Sequence, residues 1–304
     1  MEKLYLSTPN EFSFKSTLYS HGWSDLRPFK LVEKPLGITY VVKTSPKNIN
    51  LLNISEVENQ KLEIIIDGHL NDQDKNQVLK IVKRIFRLDE DYREFYKIAG
   101  KTKEFYWVVK YGAGRLLRSG SLWEDMVKML CTTNCTWRLT QIMTENLVVK
   151  LGEEKRIKES ENKIHSFPEP TDVANKTEDY LRNEIKMGYR APYLLEFAGE
   201  VVSGKIDLDR FEDSSISSTE LYNNIRKIKG FGDYAVSNLL KLLCRYDNMG
   251  ADSWSSQKFS QKYYDGKPVD NKKIQSHYNK YGKWAGLFFW MDVSEDWYKK
   301  EIPW

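Results

Sequence analysis

Three cysteines in 304 residues are too few for a disulfide framework. Cys131 and Cys135 fall four apart on an expected helix, with no His or Cys beside them to complete a zinc site, so no metal is expected. The four histidines, His21, His69, His165 and His277, are scattered and set up neither a triad nor a metal cluster. No P-loop or dinucleotide fingerprint occurs. No run of about 18 apolar residues exists, so no membrane partner is expected. Met1-Glu2-Lys3-Leu4-Tyr5 lacks a charged start with an apolar follow-on, so the chain is not expected to be secreted. A reducing compartment follows as the expectation: cytoplasmic (nucleoid-associated) or nuclear. What is present is ample apolar material, 40% hydrophobic with 13% aromatic, enough at this length for a sizeable core shared by two or three subdomains.

The pattern changes once along the chain. Within residues 1–70, Phe12-Ser13-Phe14-Lys15 alternates, and Gly37–Lys43 and Lys61–Ile66 are rich in β-branched and aromatic residues. Pro9-Asn10, Lys34-Pro35 and Asp67-Gly68 supply breaks. An N-terminal antiparallel sheet domain is expected there. Residues 71–304 read as helical. Val78, Ile81, Val82 and Ile85 form one apolar stripe, with Asp72 or Asp74 as a cap. Leu122, Met126, Met129 and Leu130 form another that continues past Asn134 through Leu139, Ile142 and Met143. Glu153 to His165, nearly all charged, reads as a solvated helix face or a loop. The fold class is therefore α+β, a sheet followed by a mostly helical bipartite core.

The stretch 217–246 carries the most information. Ser217 can cap a helix, Glu220 can close a capping box and Ile216 can staple onto Leu221. That helix stops at Lys229-Gly230-Phe231-Gly232, where two glycines permit the positive φ of a tight reversal. A second helix follows, with Ala235, Leu239, Leu240 and Leu243 on one face. Its unpaired first N–H groups can hold a phosphate. The pattern suits a helix-hairpin-helix clamp on a nucleic-acid backbone, and equally an ordinary αα-corner. From Tyr222 to Lys283 there are 12 Lys or Arg against 5 Asp or Glu, the footprint of phosphate contacts or of a plain basic surface.

Gly230-Phe231-Gly232, followed by Gly250-Ala251-Asp252-Ser253-Trp254, resembles the HhH-GPD superfamily of DNA glycosylases. Cys131-Thr132-Thr133-Asn134 resembles the Cys-Ser-Ser-Asn run of 8-oxoguanine DNA glycosylases, and Gly188-Tyr189-Arg190-Ala191-Pro192-Tyr193 their Gly-Tyr-Arg-Ala-Arg-Tyr segment. Phe167-Pro168-Glu169-Pro170 is similar to a Phe-Pro-x-Pro turn of the superfamily, and Tyr281-Gly282-Lys283-Trp284-Ala285 to the start of its last helix. These matches keep the family's order over roughly residues 70 to 292.

The resemblance implies a base-excision enzyme that acts as a monomer on double-stranded DNA carrying a damaged base, alkylated or oxidised. Asp252 would be catalytic, since a carboxylate stabilises the positive charge that builds on deoxyribose as a base departs. It also stands where a helix N-cap belongs. Lys229, Gly230 and Gly232 would grip the backbone, and Asn134, Tyr189 and Arg190 would fill the gap left by an extruded base. Trp254, Phe289 and Trp290 would wall the base pocket. Bifunctional members place a lysine where this chain has Tyr234, and a phenol forms no imine, so water is the expected nucleophile. A base-reading glutamine of the 8-oxoguanine branch corresponds to Gly286, and a pocket without it favours a cationic alkylated base. No cofactor is required, although the hairpin carbonyls could hold a monovalent cation, as in the family. The alternatives are an 8-oxoguanine glycosylase with relocated or lost lyase activity and a non-catalytic damage binder.

Overall fold

A computed structural model describes residues 1–45, 48–58, 60–156 and 163–301. Five strands open the chain: β1 (Glu2–Ser7), β2 (Lys30–Glu33), β3 (Leu36–Ser45), β4 (Asn48–Val57) and β5 (Lys61–Ile66). They form one antiparallel sheet in the order β1-β5-β4-β3-β2. The period-2 pattern buries Leu52 and Ile54 on β4 and Leu62, Ile64 and Ile66 on β5. Between β1 and β2 lies a short helix, α1 (Phe14–Leu18), where alternation predicts a strand. Ser13 decides the outcome locally: its hydroxyl accepts the Ser16 N–H and its carbonyl accepts the Thr17 hydroxyl.

Helices α2 (Asp72–Phe86), α3 (Arg93–Ala99), α4 (Tyr106–Tyr111), α5 (Leu122–Thr132) and α6 (Trp137–Leu151) follow. The cap of α2 is Asn71, whose side chain accepts the Asp74 N–H, rather than either aspartate. The stripe expected to run through Asn134 is broken into α5 and α6. Thr132 and Thr133 hydroxyls donate to the carbonyls of Met129 and Leu130, satisfying the end of α5. Asn134 then turns left-handed at φ 45°, and Thr136 caps α6. Cys131 and Cys135 consequently lie on different sides of a helix end.

Beyond α6, β6 (Glu154–Arg156) and β7 (Lys163–His165) pair antiparallel, so the described part of the charged stretch is a two-stranded ribbon and not a helix; residues 157–162 of that stretch fall outside the described ones. The remaining helices are α7 (Pro170–Ala174), α8 (Glu178–Asn183), α9 (Ala191–Val202), α10 (Leu208–Glu212), α11 (Ser218–Arg226), α12 (Asp233–Leu242), α13 (Ser253–Tyr263), α14 (Asn271–Tyr278) and α15 (Ala285–Asp296). No helix among the described residues is long and apolar enough to cross a membrane.

The sheet and the helices share one continuous hydrophobic cluster. Buried polar contacts fix their relative position. Tyr40 of β3 donates to Glu124 of α5 at 2.6 Å, and Glu124 pairs with the fully buried Lys128 at 2.6 Å. Trp23 donates its indole N–H to Asp125 at 3.0 Å, and Arg84 of α2 meets the same carboxylate at 3.0 Å. Burying these charges is tolerable because each finds an opposite charge or a hydrogen bond.

The hairpin between α11 and α12 is anchored in this core. Phe231 is 1% exposed and meets Phe197 edge-on at 5.5 Å, while Phe197 stacks on Trp123 at 5.0 Å. Phe231→Ala is therefore expected to lower the unfolding free energy by about 3–5 kcal/mol in a urea titration. A loss below about 1 kcal/mol, the range of ordinary surface substitutions, would contradict the packing.

Candidate functional site

The hairpin turns on one glycine, not two. Gly230 has φ +89°, and a Cβ there would press on Leu130 and Tyr193 at 2.9 and 3.0 Å. Gly232 is extended at φ −78° and serves as the N-cap of α12, without a side chain to take up the first N–H groups of that helix. Nothing lies within 4 Å of where its Cβ would be, so a partner's backbone can come close. Ser217 caps α11, but Glu220 points to Arg210 at 3.5 Å and the capping box is not closed. Asp233 turns aside from the helix N-terminus: Tyr222 and Arg226 each donate to its Oδ1 at 2.8 Å, and these bonds hold its carboxyl below the ordinary range. Lys229 is exposed and pairs with Glu196 at 2.8 Å.

Residues 246–252 bring the aspartate back to this helix. A Cβ on Gly250 would overlap Ser237 of α12, and one on Gly286 would overlap the Asn248 carbonyl. Gly286 also donates its N–H to the Tyr246 carbonyl at 2.6 Å. Position 286 thus has no room for a side chain such as the glutamine that the 8-oxoguanine branch was read to carry there, and offers a backbone approach instead. Asp252 caps α13: Ser255 donates to its Oδ1 from N–H at 2.7 Å and from the hydroxyl at 2.6 Å. Both cap bonds fall on Oδ1. The cap role and a role in the cleft are therefore compatible.

Asp252 stands where two cavities meet. One, of about 960 Å³, is lined by Gly230, Phe231, Gly232, Lys229, Asn134, Tyr189, Tyr234 and Asp252. The other, of about 780 Å³, is lined by Asp252, Tyr234, Trp254 and Trp290 together with Trp23, Trp137 and Trp297. The three C-terminal indoles cluster, Trp254 lying 5.1 Å from Trp297 and 6.1 Å from Trp290. Trp290 is tied to Ser20 by its indole N–H at 3.3 Å. Phe289, expected in this wall, is fully buried on the other side of α15 against Tyr278 and does not reach the cavity.

Asn134 is exposed at the left-handed turn, and Tyr189 is 45% exposed beside it. Arg190 is not. Its guanidinium is buried, donating to the Thr133 carbonyl and, at 3.2 Å, to the Thr133 hydroxyl, and lying 4.4 Å from the centre of the Tyr189 ring. It braces the turn that presents Asn134 and Tyr189, and it does not itself face outward as expected.

Among the cavity residues that escaped the sequence reading are His21, Asn238, Lys241 and Trp137. One signal for Lys241 was available, a lysine set inside Leu239-Leu240-Lys241-Leu242-Leu243. For His21 there was none, since its place depends on the packing of α1 and the turn after it. His21 Nε2 lies 2.7 Å from the Leu117 carbonyl, which makes Nε2 the protonated nitrogen and Nδ1 an acceptor. Among the described residues no group of three or more His, Cys, Asp or Glu side chains could hold a metal ion.

No family model matches the chain. A curated N-glycosylase/DNA lyase of Saccharomyces cerevisiae is 23% identical over 176 residues, which cover 56% of this chain and 46% of the relative. The chain thus matches less than half the length of that relative. Among solved structures, the apo form of a Clostridium acetobutylicum 8-oxoguanine glycosylase/lyase superposes with a TM-score of 0.75 at 17% identity, covering 96% of each chain. A 3-methyladenine DNA glycosylase from Archaeoglobus fulgidus gives a TM-score of 0.75 at 14% identity over 100% of each chain. The fold is the one shared by these DNA glycosylases, as the sequence motifs imply.

Burial depresses the His21 imidazole to about 4, with Arg87 and Lys128 acting in the same direction and Asp125 against them. The unfolded chain therefore takes up a proton near pH 6.5 that the folded chain refuses until about pH 4. Stability is expected to fall as pH is lowered through that window. His21→Gln should flatten this part of the acid denaturation profile, and superimposable profiles would show that the ring is solvated.

Proposed function

We propose that this chain is a monofunctional DNA glycosylase of base excision repair, acting on double-stranded DNA that carries a damaged base, alkylated or oxidised. The observation that carries the reading is the position of Asp252, shared between a cavity at the glycine bend and a cavity walled by tryptophans. The α12 N-terminus and Lys229 would hold the phosphates flanking the lesion. Asn134 and Tyr189 would enter the space left in the duplex, and the extruded base would stack on Trp290 or Trp254.

The chemistry follows from that placement. The bond from C1′ to the base nitrogen breaks and its electron pair leaves with the base. Positive charge accumulates on the sugar ring, and the Asp252 carboxylate stabilises it at short range. Water then adds to C1′ and gives up a proton toward the same carboxylate. The products are the free base and an abasic site. Tyr234 occupies the place where an amine would otherwise attack, so cleavage stops there. The Ile228 carbonyl at the hairpin already accepts the Phe231 N–H at 3.2 Å, and this chemistry needs no cation there.

Asp252→Asn is a clean test because asparagine caps a helix as well as aspartate does. It is expected to reduce single-turnover excision by at least about a hundredfold while abasic-site DNA is still bound. Retention of near-normal excision would remove Asp252 from the mechanism. Borohydride added during turnover is expected to trap no covalent complex with DNA; a trapped adduct would show that an amine, not water, takes the sugar.

A further inference from the structure

Lys241 is the one lysine among the described residues in the wall of the tryptophan cavity, and it is 2% exposed. Tyr234, Asn238 and Lys241 follow at i, i+4 and i+7 on α12, so they share the face turned to that cavity. The Lys241 Nζ lies 3.3 Å from Asn238 Oδ1 and 6.0 Å from the centre of the Trp290 ring. A Cβ on Gly250 would come within 2.9 Å of it. Its hydrogen-bond partner is thus an amide, and Asp252 acts on it as a charge through space. Burial lowers its ammonium to about 8, which leaves it protonated at neutral pH.

We propose that Lys241, held by Asn238, reads the edge of the extruded base and restricts the enzyme to neutral lesions that carry a carbonyl oxygen, excluding bases already made cationic by alkylation. This rests on the glycosylase reading. Two arguments support it. An ammonium is a donor only, and it matches the carbonyl and ring-nitrogen acceptors of a purine or pyrimidine edge. Charge flow during the reaction points the same way. A neutral base leaves with the bonding electron pair and becomes an anion, so a cation beside its carbonyl stabilises the departing group. A base that starts cationic leaves neutral and gains nothing from Lys241, while like charges repel as it enters the cavity. The expectation of an alkylated, cationic base came from the missing polar group at position 286. The polar group is supplied by α12 instead.

The test compares single-turnover excision from duplexes bearing 8-oxoguanine, hypoxanthine or uracil with duplexes bearing 7-methylguanine or 3-methyladenine. The wild-type protein is expected to act on members of the first set and to leave the second. Lys241→Met should slow excision from the first set by roughly tenfold or more, the value of a lost charged hydrogen bond, with the affinity for abasic-site DNA unchanged. Asn238→Asp places a carboxylate beside the ammonium without disturbing the core, and it should shift the rate ratio toward the second set. Preference of the wild type for 7-methylguanine, or an unchanged rate in Lys241→Met, overturns the inference. So does a borohydride adduct that disappears in Lys241→Met, since it would make Lys241 the nucleophile. Failure of the folded wild type on every lesion removes the glycosylase reading itself, which the other outcomes leave standing.

Discussion

Three backbone approaches that admit no side chain determine where Asp252 lies relative to the glycine bend. Gly230 lets the hairpin close against Leu130 and Tyr193, Gly250 lies on Ser237, and Gly286 lies on the carbonyl of Asn248. The first seats the bend that leads into α12 against α5 and α9, and the second lies on α12 in its second turn. Asp252 follows Gly250 by two residues, and Lys241 presses on the same glycine, so carboxylate and ammonium are positioned by one contact. Interiors packed this closely transmit a displacement and do not absorb it. An added methyl group at Gly250 would push directly on α12 at Ser237 and on the Lys241 ammonium.

Charge is handled differently on the two sides of Asp252. At the hairpin it is exposed and paired across the surface, Lys229 with Glu196 and Arg226 with Asp233. Such pairs contribute about 0–1 kcal/mol, so their cations exchange partners readily when a polyanion arrives. Inside the tryptophan cavity Lys241 is enclosed, and there a charge acts over several ångströms with little screening. Under the proposed function the outer charges would serve binding without regard to sequence, and the inner one discrimination.

Much of this was legible in the chain. The change from a sheet to helices near residue 70 and the bend at 229–232 follow from local patterning, because turn glycines, caps and apolar periods act over a few residues; the return of the chain at Asp252 was expected from the family resemblance alone. Three kinds of feature were not legible. The α5–α6 break hides in a continuous apolar stripe, because two threonine hydroxyls end the helix where periodicity does not. The direction in which a side chain points depends on partners far away in sequence: Arg190 reads as an exposed arginine until Thr133 is found beneath it, and Phe289 and Trp290 are adjacent residues on different faces of α15. Gly286 reads as a missing glutamine, and only the course of residues 246–248 shows that nothing larger fits.

The cavity that holds Trp290 and Trp297 takes its opposite wall from Tyr19 to Asp25, and the Trp290 indole bonds to the Ser20 carbonyl. The two walls are separated by most of the polypeptide. During synthesis Trp23 and His21 can meet Asp125 and Leu117 early, but the wall they form faces no second wall until residues near 290 leave the ribosome. A nascent chain that already displays a finished hairpin therefore has no closed chamber behind it.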